Sequence, residues 1–133
     1  MSHLATIKVQ IKDLDAVKAA CAEFGWTFKE GQAQFNGMGW KNKCAHAIAL
    51  PGVPYEVGLI PNEDGNGYTL GFDEYLAKDI PHWNGGKSYL GEGASKLLQL
   101  YGVHKAQIEA KKRGLLFTRK QVGSKIQCTV SGM

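Results

Sequence analysis

The residues best suited to binding chemistry are cations in the C-terminal part of the chain. Residues 81–133 hold nine Lys and Arg against two Asp and Glu, a balance of +7, whereas residues 1–80 hold seven against ten, a balance of −3. A basic region attracts acidic proteins, phosphate-bearing ligands or nucleic acid. We predict that a surface for an acidic protein or a phosphate-bearing ligand is formed by His82, Trp83, Lys87, Lys111, Lys112, Arg113, Arg119, Lys120 and Lys125. The alternative is a solvated surface without a partner, since charged side chains are mostly exposed.

A short segment, Gly85–Ser88, adds a weaker indication of anion binding. Its sequence GGKS is similar to the end of a phosphate-binding P-loop, but Pro81 stands where that loop needs its first glycine. The prediction is therefore limited to a flexible loop that offers Lys87 and backbone N–H groups to an anion.

Aromatic side chains lie between these cations and suggest a second function. A sheet surface that combines stacking rings with cations is how many proteins hold single-stranded nucleic acid. The rings available for this are Trp83, Tyr89 and Phe117. Binding of single-stranded nucleic acid therefore predicts that at least one of them is exposed.

An enzyme is the third possibility, and it needs an acid, a base or a nucleophile in one pocket. Cys44 and His46 fall on the same face of a predicted strand, and a neighbouring histidine can activate a thiolate. His82 and Asp79 are the remaining candidates. Because no third group orients the Cys44 and His46 pair, burial in the core is the favoured interpretation. The sequence favours binding over catalysis, and we predict no cofactor.

One segment has the spacing of a calcium-binding loop. Oxygen-bearing side chains and a glycine occupy positions one, three, five, six and twelve of the pattern, namely Asn62, Asp64, Asn66, Gly67 and Asp73. The flanking segments are predicted strands rather than helices, and Asp replaces the usual final Glu. A hairpin turn is the favoured interpretation, so no metal site is predicted.

Length and composition limit the class of protein. A chain of 133 residues suits a single domain, here predicted over residues 1–133, with one sizeable core. The N-terminal segment has no long apolar run, so we expect neither a signal peptide nor a membrane span there. The three cysteines Cys21, Cys44 and Cys128 lack paired spacing, so we expect free thiols that are buried in the core. We therefore expect a cytoplasmic protein, or one of an equivalent reducing compartment, with no membrane partner.

The longest predicted element is a helix from Glu92 to Gly114, which must cover a sheet. Apolar residues recur in it at steps of three and four, and a glycine follows its last basic turn. Gly102 lies in its middle, where glycine costs roughly 1 kcal/mol relative to alanine, so close packing is expected there. The residues predicted to face the core are Ala94, Leu97, Leu98, Tyr101 and Ile108.

The remaining elements follow from apolar alternation and turn residues. The small residues Ala45, Ala47 and Ala49 predict a strand face that lies under a helix. The chain begins with a predicted central strand from His3 to Ile11 and a helix from Leu14 to Phe24. A hairpin of Trp26–Lys29 with Gln32–Asn36, a loop over residues 36–42 and a strand Cys44–Leu50 follow. The second half is predicted to contain a hairpin of Tyr55–Ile60 with Tyr68–Phe72, an irregular connection Asp73–Gly91, and a last hairpin of Leu115–Gln121 with Lys125–Val130. The order indicates an α+β fold, with a single mostly antiparallel sheet and two helices on one face. The edge strand Lys125–Val130 can pair with a strand of another chain. The sequence is therefore consistent with either a monomer or a homodimer.

Three blocks of the chain resemble the ycf thirty-five-like family: MSHLATIKVQIKDLDAVKAACAEFGW, IPNEDGNGYTLGFDEY and LLQLYGVHKAQIEAKKRGLLFTRKQVGSKIQCTV. The resemblance spans nearly the whole chain. It implies a small soluble protein without an established activity, from a family encoded in cyanobacteria, algal chloroplasts, other bacteria and some phages. The resemblance therefore also implies the plastid stroma or an infected host cytoplasm as alternative locations. The closing hairpin departs from the family pattern, because it is basic where the family is usually richer in acidic residues. The resemblance therefore implies no particular partner for that surface.

Overall fold

The computed structural model describes residues 4–81 and 84–132 of the chain. Three short 3₁₀ helices lie at Glu74–Ala77, Asn84–Gly86 and Glu92–Ala94. The strands and α-helices of the described residues are β1 (Leu4–Ile11), α1 (Leu14–Phe24), β2 (Thr27–Glu30), β3 (Gln34–Gly37), β4 (Trp40–Lys43), β5 (His46–Ala49), β6 (Glu56–Pro61), β7 (Tyr68–Asp73), α2 (Ser95–Lys112), β8 (Leu116–Val122) and β9 (Lys125–Ser131).

The strands form three antiparallel sheets rather than one. The central sheet has five strands in the order β1-β7-β6-β5-β2, while β3–β4 and β8–β9 are separate hairpins. The prediction of an α+β fold with two α-helices is therefore confirmed for the described residues, and that of a single sheet is wrong. The reason is geometric: β3 packs across β5, β6 and β7 instead of extending an edge of their sheet.

One face of the central sheet is covered by the two helices. Side chains of β5, β6 and β7, such as Ile48 and Leu59, share one apolar cluster with residues of α1 and α2. Helix α1 begins where the Asp13 carboxylate accepts a hydrogen bond from the Ala16 N–H (3.1 Å), and it ends at Gly25, whose φ of 79° suits glycine. The Tyr101 hydroxyl accepts the N–H groups of Lys12 and Asp13 (3.3 Å each), which ties α2 to the start of α1.

The opposite face is covered by the β3–β4 hairpin, whose Phe35 is fully buried. Its ring lies directly over Gly58 of β6 and Gly71 of β7, and a Cβ atom at either position would overlap the ring. These glycines are cross-strand partners, and Ala47 of β5 continues the same row. The small residues of β5 therefore lie under a hairpin, and the prediction that they lie under a helix is wrong.

Two buried carboxylates hold the same hairpin in place. Glu56 accepts the N–H of Asn36 (3.3 Å), and Asp73 accepts the N–H of Met38 (2.7 Å). Glu56 also accepts the Lys29 ammonium at 3.1 Å. The two acids are 5% and 0% exposed. They take the place that a neighbouring strand's carbonyl groups would occupy beside β3.

Several boundaries and pairings differ from the sequence predictions. Strand β1 lies at an edge of the central sheet rather than in its centre, and the predicted start at His3 lies outside the described residues. The predicted hairpin between residues 26–29 and 32–36 is wrong, because β2 pairs with β5 and β3 pairs with β4. The predicted loop over residues 36–42 instead contains the tight turn at Met38 and Gly39, with Gly39 at φ 76°. Short, polar, glycine-rich strands carry little periodic signal, which explains the error.

Other predictions are confirmed. Strands β6 and β7 pair as the expected hairpin, and so do β8 and β9. In its described residues, the connection after β7 is irregular apart from short 3₁₀ helices. Helix α2 buries Leu97 and Tyr101 as predicted. Gly102, however, is exposed, and no neighbouring atom lies within 4 Å of the place that a Cβ would take, so close packing is not the reason for its presence.

We expect the same substitution at two glycines to change stability in opposite directions. Gly58→Ala should lower the free energy of unfolding by about 1–3 kcal/mol, because the new Cβ displaces the buried Phe35 ring. Gly102→Ala, the matched control, should raise it by about 0.5–1 kcal/mol, because it adds helix propensity in open space. Urea unfolding measures both. Equal effects at the two sites would contradict this packing of β3–β4.

Candidate functional site

The candidate site is the β8–β9 hairpin, which lies outside the central sheet. Its register is unbroken from Leu116 paired with Ser131 to Val122 paired with Lys125, around a turn at Gly123 and Ser124. Apart from the half-buried Phe117 and Ile126, every residue of the two strands is exposed. An isolated two-stranded hairpin is at best marginally stable in water. The hairpin therefore depends on its contacts with α2.

The two faces of the hairpin have different roles. Side chains alternate between faces and cross-strand partners share one, so Phe117, Arg119 and Ile126 lie on the inner face. Phe117 and Ile126 pack against the core cluster. We call the other side the outer face; it consists of Leu116, Thr118, Lys120, Val122, Lys125, Gln127, Thr129 and Ser131.

A charged cluster joins the hairpin to both helices. Arg119 of β8 donates two hydrogen bonds to the Glu23 carboxylate of α1, at 2.9 and 2.8 Å. His104 of α2 lies 2.9 Å from the same carboxylate. The hydrogen bond from Arg119, aided by His104, lowers the pKa of Glu23 from 4.5 to about 2, and Glu23 raises the pKa of Arg119. The charge of Arg119 is therefore compensated within the protein.

The other predicted cations are exposed but do not meet at one point. Lys120 and Lys125 lie on the outer face, and residues 111–113 follow one another at the C-terminal end of α2. The Gln99 side chain donates to the Ser124 carbonyl (3.4 Å), which places the hairpin turn beside the start of α2. From Gln99 to Lys111 the helix rises by about 18 Å. The basic residues thus form two groups at opposite ends of α2.

Several groups close to Lys87 make hydrogen bonds within the chain. The Ser88 N–H donates to the Asp79 carboxylate (2.8 Å), and the Ser88 hydroxyl accepts the Gly91 N–H (3.1 Å). Lys96 donates to the Ser88 carbonyl (2.7 Å). The Lys87 N–H donates to the Asn84 carbonyl (3.2 Å), and the Lys87 side chain is exposed. Anion binding by this segment stays a prediction. The predicted site residues His82 and Trp83 lie outside the described residues.

Two of the three rings nominated for nucleic-acid stacking pack within the protein. Tyr89 is 7% exposed, and its hydroxyl donates to the Pro51 carbonyl (2.7 Å). Phe117 packs on the core. Of the three rings, only Trp83 lies outside the described residues, so the two described rings do not favour single-stranded nucleic acid.

Cys44 and His46, two of the residues nominated for catalysis, each make a hydrogen bond to a backbone group, and the nominated His82 lies outside the described residues. The Cys44 thiol donates to the Gln32 carbonyl (3.1 Å), and burial, together with nearby Glu56, raises its pKa, so it is not an activated thiolate. The Nδ1 atom of His46 accepts the Gly31 N–H (3.0 Å). Burial likewise raises the pKa of the Cys21 thiol to about 12. Cys44 is half-buried and Cys128 is exposed, so the prediction that all three thiols are buried in the core is wrong. Among residues 4–81 and 84–132, no group of three His, Cys, Asp or Glu is placed to hold a metal ion.

The calcium-like segment is a hairpin turn. The Asn62 amide donates to the Asn66 carbonyl (2.8 Å), and the Asn66 N–H donates to Asp64 (2.8 Å). Asp73 does not join them, because it is buried at the far end of β7 and holds Met38. The turn interpretation is therefore favoured by the geometry.

An open cleft of about 510 Å³ lies beside the β3–β4 hairpin, and the sequence did not predict it. Trp40, Lys41, Pro54 and Tyr55 contribute to its lining. It follows from the position of β3–β4 across the sheet, which no local pattern indicates.

Comparison with known proteins found no matching family model, curated protein or solved structure. No helix in the described part of the chain is long and apolar enough to span a membrane.

The Glu23 cluster should make hairpin attachment depend on pH. Because the pKa of Glu23 is lower in the folded state, its stabilising contribution is complete above about pH 4.5 and is lost as the pH falls towards 2. The carboxylate is 37% exposed, so the contribution should not exceed about 1 kcal/mol. Glu23→Gln should lower the unfolding free energy at pH 6 but have little effect near pH 2.

Urea unfolding at both pH values measures this difference, and amide exchange in β8 reports on the hairpin itself. Glu109→Gln, a charge-matched change on the exposed side of α2, is the control and should leave the unfolding free energy at pH 6 close to that of the wild type. Equal stability of Glu23→Gln and the wild type at pH 6 would show that the cluster does not hold the hairpin.

Proposed function

We propose that this protein is a non-enzymatic binding protein that recognises an acidic protein partner through the outer face of β8–β9. The observation that carries the proposal is the composition of that face. It is fully exposed, it includes Lys120 and Lys125, and neither strand contains an acidic residue. An acidic partner would meet no repulsive charge there.

The same face combines cations with apolar contact area. Leu116 is 53% exposed and Val122 is 48% exposed, with Lys120 between them along β8. Apolar side chains contribute little to binding an isolated phosphate, but they suit a protein surface that buries them. Hydroxyl and amide groups of Thr118, Gln127 and Thr129 supply hydrogen-bonding groups across the strands.

A phosphate-bearing ligand is the second candidate, because residues 111–113 place three consecutive cations at the C-terminal end of α2. The same cations complement the negative end of the helix dipole, which gives them a structural role without any ligand. Arg119, the hairpin residue best suited to bidentate phosphate contacts, is already paired with Glu23. An acidic protein therefore accounts for more of the exposed surface.

The resemblance to the ycf thirty-five-like family stays a prediction and supplies no activity. A cytoplasmic location also stays a prediction. Both are compatible with a small binding protein.

Charge reversal of the outer face should abolish binding to an acidic probe. We expect the double variant Lys120→Glu, Lys125→Glu to bind poly-L-glutamate at least about tenfold more weakly than the wild type, because two attractive charges become repulsive. The matched control Lys41→Glu, Lys43→Glu makes the same charge change on the exposed side of β4 and should bind within about twofold of the wild type.

Fluorescence anisotropy at low and physiological salt measures this binding, with inorganic phosphate and a single-stranded oligonucleotide as competitors. Equal loss in both double variants would indicate a general effect of net charge and would overturn the proposal. Displacement of poly-L-glutamate by phosphate at low concentration would instead support the phosphate-bearing ligand.

A further inference from the structure

The outer edge of β9 is an unprotected strand edge. The strand runs for seven residues, Lys125–Ser131, without a proline or a register shift, and its only charge is Lys125 at the first position. Natural proteins normally protect an exposed edge with charges, bulges, proline or a short strand. An edge without these features is suited to pairing with another strand.

The edges of the central sheet differ from β9 in this respect. Strand β1 has a register shift between Ile7 and Ile11. Strand β2 has only four residues, and two of them are the charged Lys29 and Glu30, which pair with Glu56 and Lys18. Both edges therefore carry the usual protection, whereas β9 does not.

The turn fixes which backbone groups of β9 point outwards. A two-residue turn is closed by a hydrogen-bonded pair, here Val122 with Lys125, and such pairs then alternate along the ladder. Ile126, Cys128 and Val130 consequently direct their N–H and C=O groups away from β8. Among the described residues, none of these three amides donates to another element.

We infer that β9 pairs with β9 of a second copy of this chain, antiparallel and about a two-fold axis at Cys128. Cys128 is the middle residue of the strand, so this register uses its whole length. The outward groups of Ile126 then bond with those of Val130 of the second copy, and the reverse pair forms by symmetry. The product is a four-stranded sheet in the order β8-β9-β9-β8.

The side chains are complementary in this register. Ile126 meets Val130 of the second copy twice, which covers the Val130 side chain that is 46% exposed in the single chain. Lys125 lies opposite Ser131 of the second copy, so no two cations face each other. No charged residue other than Lys125 lies in the paired strand, so no ion is desolvated at its centre.

The helices also allow this arrangement. Helix α2 packs against both strands of its own hairpin. With strands about 4.8 Å apart, the centres of the two hairpins lie about 10 Å apart, close to the spacing of packed helices. The two α2 helices can therefore lie side by side under the four-stranded sheet. The dimer depends on the β9 edge and stands independently of the partner proposed for the outer face.

Two neighbouring substitutions separate this pairing from a general effect of charge. Val130→Lys places a cation against Ile126 of the second copy, whereas Thr129→Lys places one on the open outer face. Both positions are exposed in the single chain, so both variants should fold. Analytical ultracentrifugation should show that the wild type forms a dimer. We expect Val130→Lys to raise the dissociation constant of the dimer at least about tenfold, and Thr129→Lys to keep it within about threefold of the wild-type value. A wild type that stays monomeric at millimolar concentration overturns the inference.

Disulfide formation tests the register itself. A hydrogen-bonded antiparallel pair places Cα atoms about 5.5 Å apart, a distance that a disulfide can span. Copper phenanthroline with oxygen, which takes up the two electrons and two protons of the thiols, should link wild-type chains through Cys128. Cys128→Ser should abolish the link, and Cys44→Ser should preserve it. A dimer that survives Val130→Lys, or that cannot be linked at Cys128, would overturn the proposed pairing.

Discussion

The rest of the structure depends on the contact of the Phe35 ring with Gly58 and Gly71. A hairpin can lie this close to a sheet only where the strands beneath it have no side chains. Glu56 and Asp73 flank the contact and accept the N–H groups of Asn36 and Met38, so these two amides keep hydrogen-bond partners where the hairpin lies on the sheet. The central sheet is thereby covered on both faces, by helices on one side and by β3–β4 on the other.

The packing of the central sheet limits which strands can meet a partner. Strands β5, β6 and β7 place most of their side chains in the core, which leaves them little surface for a partner. The β8–β9 hairpin, in contrast, adds little to the core and is attached through Phe117, Ile126 and the Glu23 cluster. A rigid body that carries an exposed basic hairpin is suited to recognition, because the binding residues are positioned without being buried.

The sequence predicted those parts of the fold that are encoded locally. Helical periodicity identified both helices, and turn residues identified the hairpins β6–β7 and β8–β9. It did not predict β3–β4. The reason is that Gly58 and Gly71 make room for the Phe35 ring, which is distant from them in the chain. The exposure of Lys120 was predicted correctly, but the pairing of Arg119 with Glu23 was not, since these residues are 96 positions apart. Contacts of that range leave no periodic signal.

The most direct test of the binding role is a titration of ¹⁵N-labelled protein with poly-L-glutamate, followed by amide NMR. If the outer face of β8–β9 is the recognition surface, the largest shifts should fall on residues 116–131, with little change in β5 to β7. Shifts that centre on the cleft beside Trp40, or that spread evenly over all exposed lysines, would contradict the account.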